Sequence, residues 1–155
     1  MNVENIKKVR DMIAACDPAN FNMSDFIRSY ELWGKTAEKL KQAQPEENCG
    51  TACCLAGWAV TAMLKEGANP LDFAAKGYPE ALNYYNIEKK AADYFGLSFI
   101  EARELFMADA SRSNIREAQI QPSEAVAVLD NLVETGEVDW KQILGAERYY
   151  SIYHI

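Results

Sequence analysis

The side chains with the widest chemical repertoire in this chain are four cysteines, Cys16, Cys49, Cys53 and Cys54, and one histidine, His154. Zinc takes four nitrogen or sulfur ligands, usually from two closely spaced pairs. Cys49 and Cys53 are four residues apart and would share one face of a helix. Cys53 and Cys54 are adjacent, so on a helix they point about 100° apart and do not converge on one ion. A complete ligand set would have to draw on Cys16 or His154, from distant parts of the chain. The spacing therefore predicts thiols that act as small apolar groups in a tight helix contact, with no metal and no cofactor. Cys49 as a nucleophile needs a general base, and the one histidine lies at position 154, on a segment with little to tether it. A cysteine-dependent enzyme is thus the remotest of the readings considered, and the chain is expected to be non-enzymatic.

Cys49-Gly50-Thr51 offers a second kind of chemistry. A Gly-Thr pair opening a helix presents free backbone N–H groups, and these bind phosphate or carboxylate. No G-x-x-x-x-G-K-[ST] pattern and no neighbouring lysine accompany it. Cys49, Gly50 and Thr51 stand as the ligand-binding alternative, for a nucleotide or another anion.

Both ideas depend on the element that follows. From Thr51 to Leu64 there is no charged residue, and Thr51 and Thr61 are the only polar side chains. A surface helix carries a polar stripe at helical spacing, and this segment has none. It is shorter than the roughly 20 apolar residues that span a bilayer. It predicts a central helix over about 51–66, buried on all sides, with Gly67 as its C-terminal cap. Ala52, Cys53, Ala56, Gly57 and Ala59 would let a neighbour approach closely.

Other helices must enclose it. Val3, Ile6, Val9, Met12 and Ile13 fall at three- and four-residue spacing and predict an amphipathic helix from Asn2 to Cys16, stopped by Asp17-Pro18. Phe21 to Ile27 reads as a short extended piece, and Ala37 to Gln44 as a polar helix. Residues 68–79 read as a loop. Ile87 to Phe95 predicts a helix, and Gly96-Leu97 a turn. Ser98 to Glu101 forms an S-x-x-E capping box that opens a helix with Ala102, Leu105 and Phe106 inward. This helix–glycine–helix unit has the outline of a DNA-binding motif. However, residues 86–110 carry 3 basic and 5 acidic side chains, so a helical hairpin packed on the core is expected. Ala108 to Gln121 reads as irregular. Pro122 begins a helix whose stripe is Ala125, Val128, Leu129 and Leu132, ended by Gly136, and Asp139 caps a short last helix at Trp140.

The fold class expected is mainly α, a single domain over residues 1–155. A minor β element is expected from the C-terminal tail, which is rich in strand-favouring residues. Tyr149, Tyr150, Ile152 and Tyr153 also suit an interface, since aromatic residues are enriched there. They are expected either to dock on their own domain or to contact a second copy or another partner. The length allows a real core, burying roughly 70% of the unfolded surface.

The net charge is −7. Residues 1–50 hold 7 basic and 8 acidic side chains, and the remainder hold 9 and 15. No cluster of Lys and Arg offers itself to phosphates, so no nucleic-acid partner is expected, nor a membrane. The acidity serves solubility and favours a basic protein surface as partner, with a homodimer as a further option. The first ten residues are charged where a signal peptide would be apolar, which predicts a cytoplasmic protein with reduced thiols.

The segment C-G-T-x-x-C-x-A-G-W, here Cys49 to Trp58, resembles one found in small uncharacterised proteins of bacteria and their phages. Three further pieces match: Phe21-Asn22-Met23; Gly96-Leu97 through Ala102 to Leu105-Phe106; and Gly136-Glu137-Val138-Asp139-Trp140. The resemblance brings no activity with it. It implies a bacterial or phage origin, and by analogy with small acidic phage proteins it implies a modulator or inhibitor of a host protein.

Overall fold

The computed structural model describes residues 1–23, 54–65, 84–108 and 120–146, with the backbone alone for residues 84–86. It is mainly α. The elements are α1 (Val3–Ala15), a 3-10 turn (Pro18–Asn20), α2 (Leu55–Leu64), α3 (Tyr84–Phe95), α4 (Phe99–Phe106), α5 (Pro122–Thr135) and α6 (Trp140–Leu144). Among the described residues no helix is long and apolar enough to cross a membrane.

α2 is the centre of the core. Every residue from Leu55 to Ala62 is buried, and α2 is packed by α1, α3 and α4. Thr61, its one polar residue, donates its hydroxyl to the Gly57 carbonyl at 2.8 Å, which satisfies a buried O–H locally. The helix is shorter than its sequence predicts at both ends. Cys54 is the N-cap, in extended backbone (φ −78°, ψ −178°), and Lys65 is the C-cap at φ −153°, ψ 115°. An extended residue at 54 prevents one helix from running through from Thr51. At the other end Met63 and Leu64 emerge from the core, each 36% exposed.

α1 lies along α5 and brings Ile6, Val9 and Ile13 against the Ala125–Val128–Leu129–Leu132 stripe. Arg10 reaches Asp130 across this contact at 2.9 Å. Asn2 caps α1 by accepting from the Asn5 N–H. The same end of α1 sits on the end of α3. Asn2 donates its backbone N–H to Phe95 O at 2.7 Å, and Asn5 donates its side-chain amide to Tyr94 O at 2.8 Å. Two carbonyls that helix geometry leaves unpaired at a C-terminus are thus supplied with donors from α1.

The turn between α3 and α4 is a Schellman motif. Leu97 N–H donates to Ala92 O, Gly96 N–H donates to Asp93 O, and Gly96 has φ +64°. The left-handed conformation there requires glycine or a costly substitute. Ser98 and Glu101 then form both halves of the capping box at the start of α4. α3 and α4 make the expected hairpin, with Ala102, Leu105 and Phe106 buried. α5 begins with Pro122 in its first turn and ends at Gly136, φ +79°, whose N–H donates to Leu132 O. Asp139 caps α6.

The expected extended piece from Phe21 is seen only at its start: Phe21 has φ −118° and ψ 126°. The rest of that piece, the predicted helix at 37–44, the Gly67 cap, the loop at 68–79 and most of the 108–121 segment lie outside the described residues. So does the C-terminal tail with its predicted β element. The described residues alone make a helical protein, and no strand is required to complete their packing.

Candidate functional site

Of the residues chosen from sequence for chemistry, the structure describes Cys16 and Cys54. Cys49, Gly50 and Thr51 lie outside the described residues, as do Tyr149, Tyr150, Ile152 and Tyr153 and the single histidine. The helix start meant to serve Cys49–Thr51 is elsewhere. The first amides of α2 belong to Leu55, Ala56 and Gly57, all buried, four and more residues beyond Thr51.

Cys54 carries a buried thiol at the N-cap of α2. Cys16, half-buried beyond α1, has its thiol pKa pushed up by burial, with the charge of Asp17 adding to the effect. A raised pKa lowers the thiolate fraction at neutral pH and with it the nucleophilicity. Among the described residues no three His, Cys, Asp or Glu side chains group together as an ion would need.

What the fold does assemble is an apolar groove of about 400 Å³ between α4 and the segment leading into α6. One wall is the outer face of α4, with Phe99, Ile100, Arg103 and Glu104, continuing to Met107 and Ala108. The other wall is Val138, Asp139, Trp140 and Lys141. A buried hydrogen bond joins the two walls, from Trp140 Nε1 to Leu105 O at 3.1 Å. Leu105 O belongs to the last turn of α4, where carbonyls have no partner within the helix. Trp140 supplies that partner and so fixes the distance between the walls.

The groove is open at one end, where Phe99 is 68% exposed and Ile100 is 69% exposed. No other large apolar residues among those described are as exposed; Met1 follows at 52%. Both sit in the first turn of α4, which the capping box holds in place. Ser98 accepts from Glu101 N–H, and Glu101 accepts from Ser98 N–H at 2.7 Å. These bonds hold the Glu101 carboxyl below its usual pKa. The polar groups of the opposite wall are similarly engaged: the Asp139 carboxylate accepts from Gln142 N–H at 2.9 Å. Phe99, Ile100, Arg103 and Glu104 remain outward-facing.

Sequence reasoning passed over this site. Phe99 falls near the inward stripe on a helical wheel, seven residues before Phe106. It is nevertheless 68% exposed, in the first turn of α4. Ile100 had a usable signal, since it is an apolar residue on the polar side of the wheel, well away from Ala102, Leu105 and Phe106.

A second hollow of about 440 Å³ lies where α1, the end of α2 and α3 meet, lined by Asn5, Lys8, Asp11, Met12, Ala62, Met63 and Tyr94. Its polar wall is partly committed to the fold, with Asn5 held on Tyr94 O. Its most exposed apolar residue, Met63, is at 36%. It lacks the projecting aromatic and aliphatic pair that marks the first groove.

No protein-family model, no curated protein and no solved structure matches this chain.

Proposed function

We propose that this chain is a non-enzymatic protein-binding module, with the outer face of α4 and the adjoining groove as its contact surface. Within that reading the chain is a phage-encoded modulator of a host protein, acting in the host cytoplasm. The observation that carries the proposal is the pair Phe99 and Ile100, two-thirds exposed and side by side at the mouth of a groove floored by Trp140 and Met107. Exposed apolar groups that adjoin one another mark interaction sites, whereas scattered ones do not. The lining is also rich in the residue types enriched at interfaces, aromatic residues, Met and Arg among them.

A small-molecule site is a poorer fit to the same geometry. Such sites enclose most of the ligand and aim a few unengaged polar groups at it. Here one wall is largely solvent-exposed, and the Trp140 N–H and the Asp139 carboxylate are already used by the fold. The test is affinity capture from bacterial lysate with the wild type and with Ile100→Asp, the captured proteins being identified by mass spectrometry. A specific protein retained by the wild type and lost with the variant supports the reading. Identical captured sets for the two proteins refute the α4 face as the surface that contacts a host protein.

A further inference from the structure

We infer that the α4 face is a self-association surface, on which two copies of this chain pair about a two-fold axis with their α4 helices antiparallel. This rests on the reading of that face as a protein contact and names its partner as a second copy.

The first argument is geometric. On the α4 wall, exposed Ile100 and half-buried Met107 lie symmetrically about the midpoint between the exposed residues Arg103 and Glu104. An antiparallel two-fold centred there sets Ile100 over Met107 of the second copy and Arg103 over Glu104. Each pairing is chemically matched. The two flexible apolar chains of Ile100 and Met107 meet each other, and the guanidinium meets the carboxylate. The symmetry repeats every contact, as an isologous interface requires. The apolar pair at the start of α4 on one copy then covers the groove beside the end of α4 on the other. The distance suits this, because α4 rises about 1.5 Å per residue and its two ends are therefore only about 12 Å apart.

The second argument is electrostatic and bears on who the partner is. The chain carries −7, so two copies repel over most of their surfaces. The groove lining, by contrast, is neutral by count. Its lining holds two basic residues, Arg103 and Lys141, and two acidic ones, Glu104 and Asp139. A strongly basic partner would find its complement elsewhere on the molecule. A neutral apolar face bearing one charge of each sign at its centre complements itself.

The third argument concerns preorganisation. The Schellman turn at Gly96, the capping box and the Trp140–Leu105 hydrogen bond fix both ends of α4. The face is thus rigid before it meets a partner, which lowers the ordering cost of association.

The experiment is sedimentation equilibrium on the full chain, with far-UV circular dichroism to confirm that each variant is folded. The wild type should be dimeric at concentrations of tens of micromolar, typical of interfaces of modest size. Ile100→Asp should be monomeric with an unchanged spectrum, because Ile100 is exposed within one copy. Arg103→Glu sets two acidic side chains against each other at both symmetric contacts and should weaken association by about tenfold or more. Adding Glu104→Arg to Arg103→Glu exchanges the two charges and should restore it. A wild type that stays monomeric at about 200 µM, well above that range, overturns the inference. So does a dimer indifferent to Ile100→Asp, and so does a failure of the double exchange to recover what the single reversal loses. The outcomes also separate this inference from the broader reading. A monomeric wild type that captures a host protein through Ile100 refutes self-association and leaves the contact surface standing.

Discussion

Gly96→Ala tests the joint between α1 and the α3–α4 hairpin, and Gly136→Ala is its internal control. Both glycines end a helix in the left-handed region, at φ +64° and +79°. An alanine forced into that region costs about 1–2 kcal/mol. The loss of unfolded-state freedom offsets about 0.4–1 kcal/mol at either site. At Gly136 this is the whole effect, because a Cβ there meets nothing within 4 Å. The expected net destabilisation is about 1 kcal/mol. At Gly96 the added Cβ lies 3.0 Å from Asn2 N, 3.2 Å from Met1 C and 3.3 Å from Met1 Cα. All three are backbone atoms and cannot rotate away. The start of α1 must move, and the Asn2 N–H bond to Phe95 O is stretched or lost. That bond contributes about 1 kcal/mol, and an orphaned buried carbonyl adds to the loss. Gly96→Ala should therefore cost about 2–3 kcal/mol, exceeding Gly136→Ala by about 1–2 kcal/mol. Urea unfolding followed by circular dichroism measures both. In a thermal scan the difference is a few degrees, at about 2–4 °C per kcal/mol for a chain of this size. If the two variants lose the same stability within about 0.5 kcal/mol, roughly the size of a neutral surface change, then the contact of α1 on the turn does no work and the reasoning fails.

Three further outcomes follow from the same structure. Trp140→Phe keeps an aromatic ring but loses the pyrrole portion and with it the donor to Leu105 O, leaving a buried carbonyl unpaired beside a small cavity. It should cost about 1–3 kcal/mol in chemical denaturation, and a loss under 0.5 kcal/mol would show that water reaches that carbonyl. Glu101, whose folded pKa is depressed by its bonds to Ser98, contributes stability that is present above its unfolded pKa of about 4.3 and fades as the pH falls towards the folded value. The stability gap between wild type and Glu101→Gln should accordingly be open at neutral pH and close on acidification, and a gap independent of pH would contradict this. Gly57→Leu inserts four carbons on a helix whose residues 55–62 are all buried. It should destabilise by about 1–3 kcal/mol or more through overpacking, and an unchanged melting temperature would show that α2 has a free side.

The parts of the fold that were legible in the sequence are those written in local signals. The i, i+3, i+4 stripes of α1 and α5 matched their buried residues because each helix has one wet side. The Ser98–Glu101 capping box and Gly96 and Gly136 were readable because their chemistry depends on neighbours a few residues away. α2 was harder to bound. A helix with no polar face carries no phase, so nothing in Thr51-Ala52-Cys53 distinguished a first helical turn from the approach to one, and the start fell at Leu55 instead. The groove could not be read at all, because Val138–Lys141 meets α4 through tertiary contacts such as a hydrogen bond between residues 35 positions apart. Ile100 was the one clue, and it became meaningful only once the opposite face of α4 was seen to be satisfied.

The locks on α4 connect stability to association, and Ser98→Ala tests that link. Ser98 lies next to Phe99 in the chain but is not among the residues lining the groove. Its side chain accepts from Glu101 N–H, and its own N–H donates to the Glu101 carboxylate. Removing the hydroxyl costs about 1 kcal/mol, as for other N-caps. The cost falls on the first turn of α4, which carries Phe99 and Ile100. When that turn frays, the exposed pair no longer stands in the geometry that a second copy must meet. Apparent affinity falls with the fraction of molecules that remain competent, and in a two-fold dimer the loss is incurred in both copies. Ser98→Ala should therefore weaken self-association several-fold while altering no residue of the groove lining. Adding Ile100→Asp should leave nothing further for the cap to affect. Sedimentation equilibrium on the single and double variants measures this. An unchanged dimerisation constant alongside the expected loss of stability would mean that the pair is presented equally well by a frayed turn, and that the rigidity of α4 plays no part in its recognition.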